Sequence, residues 1–298
     1  MKILLLGKNG QLGWELQRAL APLGELVAMD RYGDGGLSGD LTDLNGLRHT
    51  LQTLKPDVVV NAAAYTAVDK AESEPELANL INAEAPAVLA EETQKQGSLL
   101  VHYSTDYVFD GQGQQPWQES DITGPLNVYG ASKLAGEQAI KESGCRYLVF
   151  RTSWVYGRRG NNFARTMLHL AAERETLNVI ADQIGAPTGA DLLADVTAHA
   201  LRQTLAQPEL GGLYHLAAAG ATSWYDYACM IIEQASQLGW PTKVEQINPI
   251  STQDYPTPAH RPLNSRLATN KLERTFGLTM PCWQQGVNRL LEEMTIKG

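Results

Sequence analysis

Cysteine is scarce. Three residues, Cys145, Cys229 and Cys282, stand far apart in a chain of 298. They supply neither a disulfide framework nor a Cys-x-x-Cys metal site, and they fit a reducing cytoplasm. Long apolar runs are missing as well. Residues 3–6 are apolar but end at Gly7 and Lys8, short of the ~7–15 residues of a signal peptide's apolar region, and nothing approaches the ~18 of a membrane span. Positive charge is the third deficit: 24 Lys+Arg face 33 Asp+Glu, a formal net charge of −9. Without a basic run to offset that field, the composition argues against duplex nucleic acid and anionic membranes as partners. An anionic small molecule would need local positive groups. The six histidines show no ligand spacing, which argues against zinc.

What is present is alternation. Short β-branched and leucine-rich runs at 2–6, 25–30, 57–62, 99–104, 147–153 and 178–180 are interleaved with stretches of helical period at 11–21, 43–54, 75–96, 128–142, 162–174 and 191–206. That pattern predicts an α/β fold, a doubly wound Rossmann-type parallel sheet. Beyond about Gly211 the alternation fades and Pro241, Pro249, Pro256, Pro258, Pro262 and Pro281 break the chain into short elements. The expected organisation is a dinucleotide-binding part over 1–153, with segments near 178–210 returning to it. A smaller substrate lobe then takes 154–177 and 211–298.

The first strand runs into Gly7-Lys8-Asn9-Gly10-Gln11-Leu12-Gly13 and then a helix. Glycines there permit a tight turn, close backbone approach to a pyrophosphate, and a helix N-terminus aimed at the phosphates. The second strand ends at Asp30, about the ~20 residues further on where an acid would hold the adenosine ribose. Arg31 beside it could instead pair with a 2′-phosphate, so both NADH and NADPH are expected. Asp40-Leu41 and Asn61-Ala62-Ala63-Ala64, with Tyr65 following, are the other expected cofactor contacts, although small residues at a strand end also fit plain packing under a helix.

Tyr129 and Lys133 lie at i and i+4 on one helix face. A phenol of pKa near ~10 is a poor acid–base group at neutral pH, and a neighbouring ammonium brings it toward working range. The same spacing also fits an exposed tyrosine beside a solvated lysine.

The glycine fingerprint, the Tyr129/Lys133 pair and Ser104-Thr105-Asp106 together resemble the extended short-chain dehydrogenase/reductase family over nearly the whole chain. Five blocks in order, at 102–111, 125–130, 151–156, 182–188 and 261–265, are similar to the branch that reduces dTDP-linked 4-keto-6-deoxysugars. The resemblance implies hydride transfer from NADPH or NADH to the C4 carbonyl of dTDP-4-dehydro-β-L-rhamnose, with Tyr129 protonating the alkoxide. By the same resemblance, Lys133 holds the nicotinamide ribose, Thr105 hydrogen-bonds the carbonyl oxygen, Asp106 contacts the sugar or orients the Thr105 hydroxyl, and Trp154 stacks on the sugar, although its indole also fits a place in the core. Arg261, with Arg266, would meet the diphosphate; Arg158, Arg159 and Arg165 are further candidates that also fit simple solvation. The resemblance further implies a homodimer and a structural Mg²⁺ between subunits, for which Glu15, Asp191 and Glu293 are the candidate ligands. Dehydratases of this superfamily carry Thr-Asp-Glu where this chain has Thr105-Asp106-Tyr107, so dehydration is disfavoured. A C4 epimerase and a non-catalytic dinucleotide-binding regulatory subunit stay open.

Overall fold

The computed structural model describes residues 1–295. Among the described residues the strands, in chain order, are β1 Lys2–Leu6, β2 Glu25–Met29, β3 Val58–Asn61, β4 Leu99–Thr105, β5 Arg146–Thr152, β6 Val155–Tyr156, β7 Thr176–Ile180, β8 Ile184–Gly185, β9 Thr188–Gly189, β10 Gly212–His215, β11 Thr222–Ser223 and β12 Gln246–Ile250. The helices are α1 Gln11–Leu20, α2 Leu44–Leu54, α3 Val68–Ala71, α4 Pro75–Asn79, α5 Ala85–Gln96, α6 Val128–Glu142, α7 Phe163–Glu173, α8 Ala190–Ala206, α9 Trp224–Gln237, α10 Asn270–Phe276 and α11 Trp283–Thr295. Six strands build one parallel sheet in the order β10-β5-β4-β3-β1-β2, as the alternation predicts. The chain winds outward from β1 to β2 and then crosses back to β3. The β1/β3 boundary is therefore the switch point where doubly wound sheets bind ligands.

Side-chain alternation sends each strand into two cores. Ile3, Leu5, Val58, Val60, Leu99 and Val101 pack on one face beneath α1, α8 and α10, whereas Leu4, Leu6, Val59 and Leu100 pack on the other beneath α2 and α5. Burial on both faces is why these strands read as continuous apolar runs. A separate apolar core joins α7, α9, α11 and the parallel pair β7/β12 and forms the second lobe.

Two expectations need adjusting. The strand expected at 178–180 does not return to the large sheet but pairs with β12 in the lobe, while β10, placed by the sequence in the lobe, edges the large sheet beside β5. The single helix expected over 75–96 is interrupted by a π-turn, Leu80–Glu84. Pro86 has no N–H to give to the carbonyl four residues back, so the local ladder widens instead of closing as α-helix. The π-turn presses on α6 where Gly136 lies: an added Cβ there would collide with the Asn82 carbonyl.

Candidate active site

A cleft of about 570 Å³ opens where β1, β2 and β3 end. Gly7, Gly10, Asp30, Arg31, Asp40, Leu41, Ala63, Ala64 and Tyr65 line it, joined by Asn9, Tyr32, Gly39, Thr42, Leu77 and Ile81, which the sequence reading had not singled out. The glycine turn is built for close approach. Gly7 sits at φ +87°, and a Cβ on it would come within 2.8 Å of the Ala63 nitrogen, while a Cβ on Gly13 would collide with the Gly7 carbonyl. Gly10 caps α1 without a side chain, leaving the helix's first N–H groups free for an anion. Gln11, Leu12, Gly13 and Ala62 do not line the cleft: Leu12 and Ala62 pack against the core, and Gln11 Oε1 accepts from Asn162 Nδ2 at 3.0 Å. Asp30 accepts from the Tyr32 N–H at 3.0 Å and Asn9 Nδ2 at 2.8 Å. Those bonds, the backbone one foremost, with Lys8 nearby, hold its carboxyl below the usual range. Exposed Arg31 lies beside the Tyr32 ring. A turn with no room for Cβ atoms, a free helix N-terminus and a charged ribose-side acid fit a dinucleotide.

The second cluster sits at the end of β4. Thr105 Oγ1 donates to Asp106 Oδ1 at 3.0 Å and accepts from the Tyr107 N–H at 3.1 Å. Asp106 is 2% exposed, and among the described residues its Oδ2 has no hydrogen-bond partner. Burial pushes its carboxyl up to about 7, against the opposing pull of Ser265 and Thr105. Asn127 starts α6 by accepting the Gly130 N–H at 2.8 Å, which sets Tyr129 and Lys133 on the face toward β4. Tyr129 is half-buried, edge-on to Tyr107 at 5.7 Å. Burial raises its phenol to about 12, partly offset by Thr105. Lys133, expected to draw this pKa down, is not among the groups that shift it. Lys133 is itself buried and lowered to about 8 by desolvation, with its Nζ 3.2 Å from His102 Nε2. His102 and Asn82 are the buried residues that motif reading missed. Asn82 accepts the Tyr65 N–H at 2.9 Å and donates to the Tyr65 carbonyl and to Ser132 Oγ, both at 3.0 Å. No spacing in the sequence marks either one.

In the lobe, Trp154 adopts φ +47° and stacks on Trp224, ring centroids 3.5 Å apart. A Cβ at Gly185 would come within 2.6 Å of the Trp154 ring, so the indole needs that glycine. Arg261 forms a fork with Asp69, at 3.0 and 2.8 Å, and Tyr107 is among its neighbours. It therefore stands at the site, but already paired. Arg266 binds Asn264 Oδ1 at 2.8 Å, Arg165 binds the Arg158 carbonyl at 2.6 Å, and Arg159 covers Trp14.

Glu15, Asp191 and Glu293 do line one small cleft, yet Arg18, Arg158 and Arg289 line it with them. Glu15 faces Arg18 at 3.5 Å, and Arg289 takes Glu293 at 2.9 Å and Asp191 at 3.8 Å. Among the described residues no His, Cys, Asp and Glu side chains group as a metal site. Carboxylates neutralised by guanidinium groups do not fit the expected Mg²⁺.

The fold and the paired sites define an oxidoreductase of the extended short-chain dehydrogenase/reductase type. The family model for the RmlD substrate binding domain matches residues 1–296. A relative from Escherichia coli (strain K12) named dTDP-4-dehydrorhamnose reductase is 56% identical over 294 residues, 99% of this chain and 98% of its own length. A crystal structure of the Clostridium acetobutylicum dTDP-4-dehydrorhamnose reductase superposes with TM-score 0.90 at 36% identity, covering 99% of this chain and 100% of that one. The Bacillus anthracis dTDP-4-dehydrorhamnose reductase, in complex with NADP, gives TM-score 0.87 at 38% identity, covering 98% and 99%. The chain belongs to the dTDP-4-dehydrorhamnose reductase family.

Proposed function

We propose that the chain reduces the C4 keto group of dTDP-4-dehydro-β-L-rhamnose to give dTDP-L-rhamnose, using NADPH or NADH, with Tyr129 as proton donor. One observation carries this reading. A neutral phenol, a threonine hydroxyl and a near-neutral carboxyl converge at the end of β4, beside a glycine-turn cleft of dinucleotide size. In a doubly wound sheet that is where ligands lie. The NADP held by the Bacillus anthracis relative supports the cofactor class.

When bound, the reduced nicotinamide supplies a hydride to the carbonyl carbon. The residues of the chain do the rest. The α1 N-terminus receives the pyrophosphate, and ionised Asp30 accepts from ribose hydroxyls. Arg31 is free to meet a 2′-phosphate, which is the basis for use of both coenzymes. Thr105 turns its hydroxyl from Asp106 toward the sugar oxygen and so stabilises negative charge where it forms. Tyr129, protonated throughout the neutral range, gives that oxygen a proton. Lys133 holds the nicotinamide ribose and supports the phenolate that remains. Trp154 offers an apolar face to the deoxysugar, while Arg261 shares its fork between Asp69 and the diphosphate. Tyr107 carries no carboxyl for water elimination, which supports reduction over dehydration.

To test this, the purified protein is mixed with NADPH or NADH and the 4-keto-6-deoxy-L-sugar nucleotide, and the nicotinamide absorbance is followed. Stoichiometric loss is expected. Tight coenzyme binding without any loss would sink the reading and favour a regulatory subunit.

A further inference from the structure

Lys133 is buried on α6 with His102 of β4 against it. His102 pairs in register with Asn61 of β3, and the three are 2%, 1% and 1% exposed. Among the described residues, His102 Nε2 is the hydrogen-bond partner of Lys133 Nζ, at 3.2 Å. His102 Nδ1 lies 3.2 Å from Asn61 Nδ2, and Asn61 Oδ1 accepts the Ala63 N–H at 3.2 Å. Ala63 lines the coenzyme cleft, so the chain of contacts runs from that cleft to the lysine.

Proton bookkeeping along this chain allows one arrangement. The Ala63 N–H orients the Asn61 amide with its oxygen toward Ala63, so the NH₂ group faces His102. An NH₂ only donates, which makes Nδ1 the lone-pair nitrogen and puts the proton of the neutral imidazole on Nε2. That N–H points at Lys133. An ammonium would meet it donor to donor, whereas a neutral amine accepts it. We propose that Asn61 and His102 form a tautomer-setting relay that favours the neutral amine of Lys133 and so weakens its hold on a proton in the ligand-free enzyme. To carry an ammonium, the relay must reverse: the imidazole proton moves to Nδ1, the Asn61 amide turns over, and the bond to Ala63 is given up. The proton that charges the lysine comes from solvent.

The charges around Lys133 agree. Burial lowers both His102 and Lys133. Glu137, one turn further along α6, opposes the lowering of Lys133, but Arg151 of β5 takes both of its oxygens, at 2.9 and 2.6 Å. Asp106 acts on Tyr129. A neutral amine avoids a buried charge whose carboxylate neighbour, Glu137, is already paired with Arg151. A bound dinucleotide offers ribose hydroxyl oxygens as acceptors, and reversal then supplies the ammonium that supports the Tyr129 phenolate. Only this last consequence rests on the proposed function. It makes His102 and Asn61 positioning residues for Lys133.

The test titrates the protein labelled with ¹³C at lysine Cε, the Lys133 signal being assigned by its loss in Lys133→Met. Wild-type Lys133 titrates near its lowered value of about 8, and the coenzyme moves that midpoint upward. Asn61→Asp keeps an acceptor for Ala63 and gives His102 Nδ1–H a partner, reversing the tautomer. His102→Gln lets an amide oxygen face the amine. Each substitution raises the ligand-free midpoint by about one pH unit, tenfold in proton affinity, and moves the alkaline limb of kcat/KM for the coenzyme upward with it. Should His102→Gln not fold, Asn61→Asp alone decides. A wild-type midpoint among the surface lysines, or unmoved midpoints in the variants, overturns the relay. A shifted midpoint in an enzyme that turns over no sugar nucleotide leaves the relay standing and removes the proposed function.

Discussion

Tyr129 is asked to give up a proton, and its environment suits a donor: a phenol raised to about 12 is protonated across the physiological range. Tyr129→Phe keeps the ring packed against Tyr107 and removes only the hydroxyl. Turnover falls by about 10²-fold or more, the loss typical of acid–base catalysis, while NADPH affinity measured by fluorescence titration stays within about twofold; full activity would refute the assignment. Asp106 has the opposite character, a buried carboxyl raised to about 7 from 3.8. Its neutral form is the one the fold favours. The stability it contributes is fully present below the unfolded value near 3.8 and is lost as pH rises through about 7. Asp106→Asn removes that dependence, so the variant's Tm gains on wild type between pH 4 and pH 8 in thermal melts of the ligand-free protein. A pH-independent Tm difference would show that Asp106 is not the group responsible.

At the scale of elements, what matters is how α6 is pressed into place. Gly136 lets it approach the π-turn at Leu80–Glu84, and buried Asn82 ties that turn to Tyr65 beside the cleft and to Ser132 beside Lys133. Gly136→Ala forces the Cβ onto a backbone carbonyl that cannot swing away, an overpacking cost of about 1–3 kcal/mol. Because Tyr129 and Lys133 ride on the same helix, kcat drops along with Tm; a variant as stable and active as wild type would show that the contact yields without cost. The sequence revealed the elements better than their joints. The first five strands of the large sheet, the glycine turn and the Tyr129/Lys133 face were legible because periodicity and spacing are local properties. The π-turn was not, since Pro86 alone hints at it, nor was the β7/β12 pairing, which joins strands some seventy residues apart. Asn82 and Trp224 carry no motif, and His102, though it opens the block at 102–111, had no role read from it: they matter through what the fold brings to them from other strands and helices. Arg261 was singled out from its block of sequence, but its partner Asp69 lies too far away in sequence for any local pattern to show the pair.

The whole molecule carries a formal net charge of −9, yet the proposed ligands are anions. The two act over different distances. Net charge repels an approaching dinucleotide through solvent, and salt screens that repulsion beyond the Debye length, ~8 Å at physiological ionic strength. Contacts made after docking, between phosphate and the free N–H groups of α1 or between diphosphate and Arg261, are short and partly sheltered, so salt weakens them less. Raising NaCl from about 0.01 to about 0.15 M should therefore leave the dissociation constant for NADPH level or lower it, and should speed association in stopped-flow mixing. A basic protein binding a nucleic-acid backbone shows the reverse, with affinity falling steeply as salt rises. If the NADPH dissociation constant instead climbs tenfold over that range, long-range attraction dominates. The cleft would then owe its affinity to a positive field from side chains such as Lys8 and Arg31 rather than to the geometry of the glycine turn.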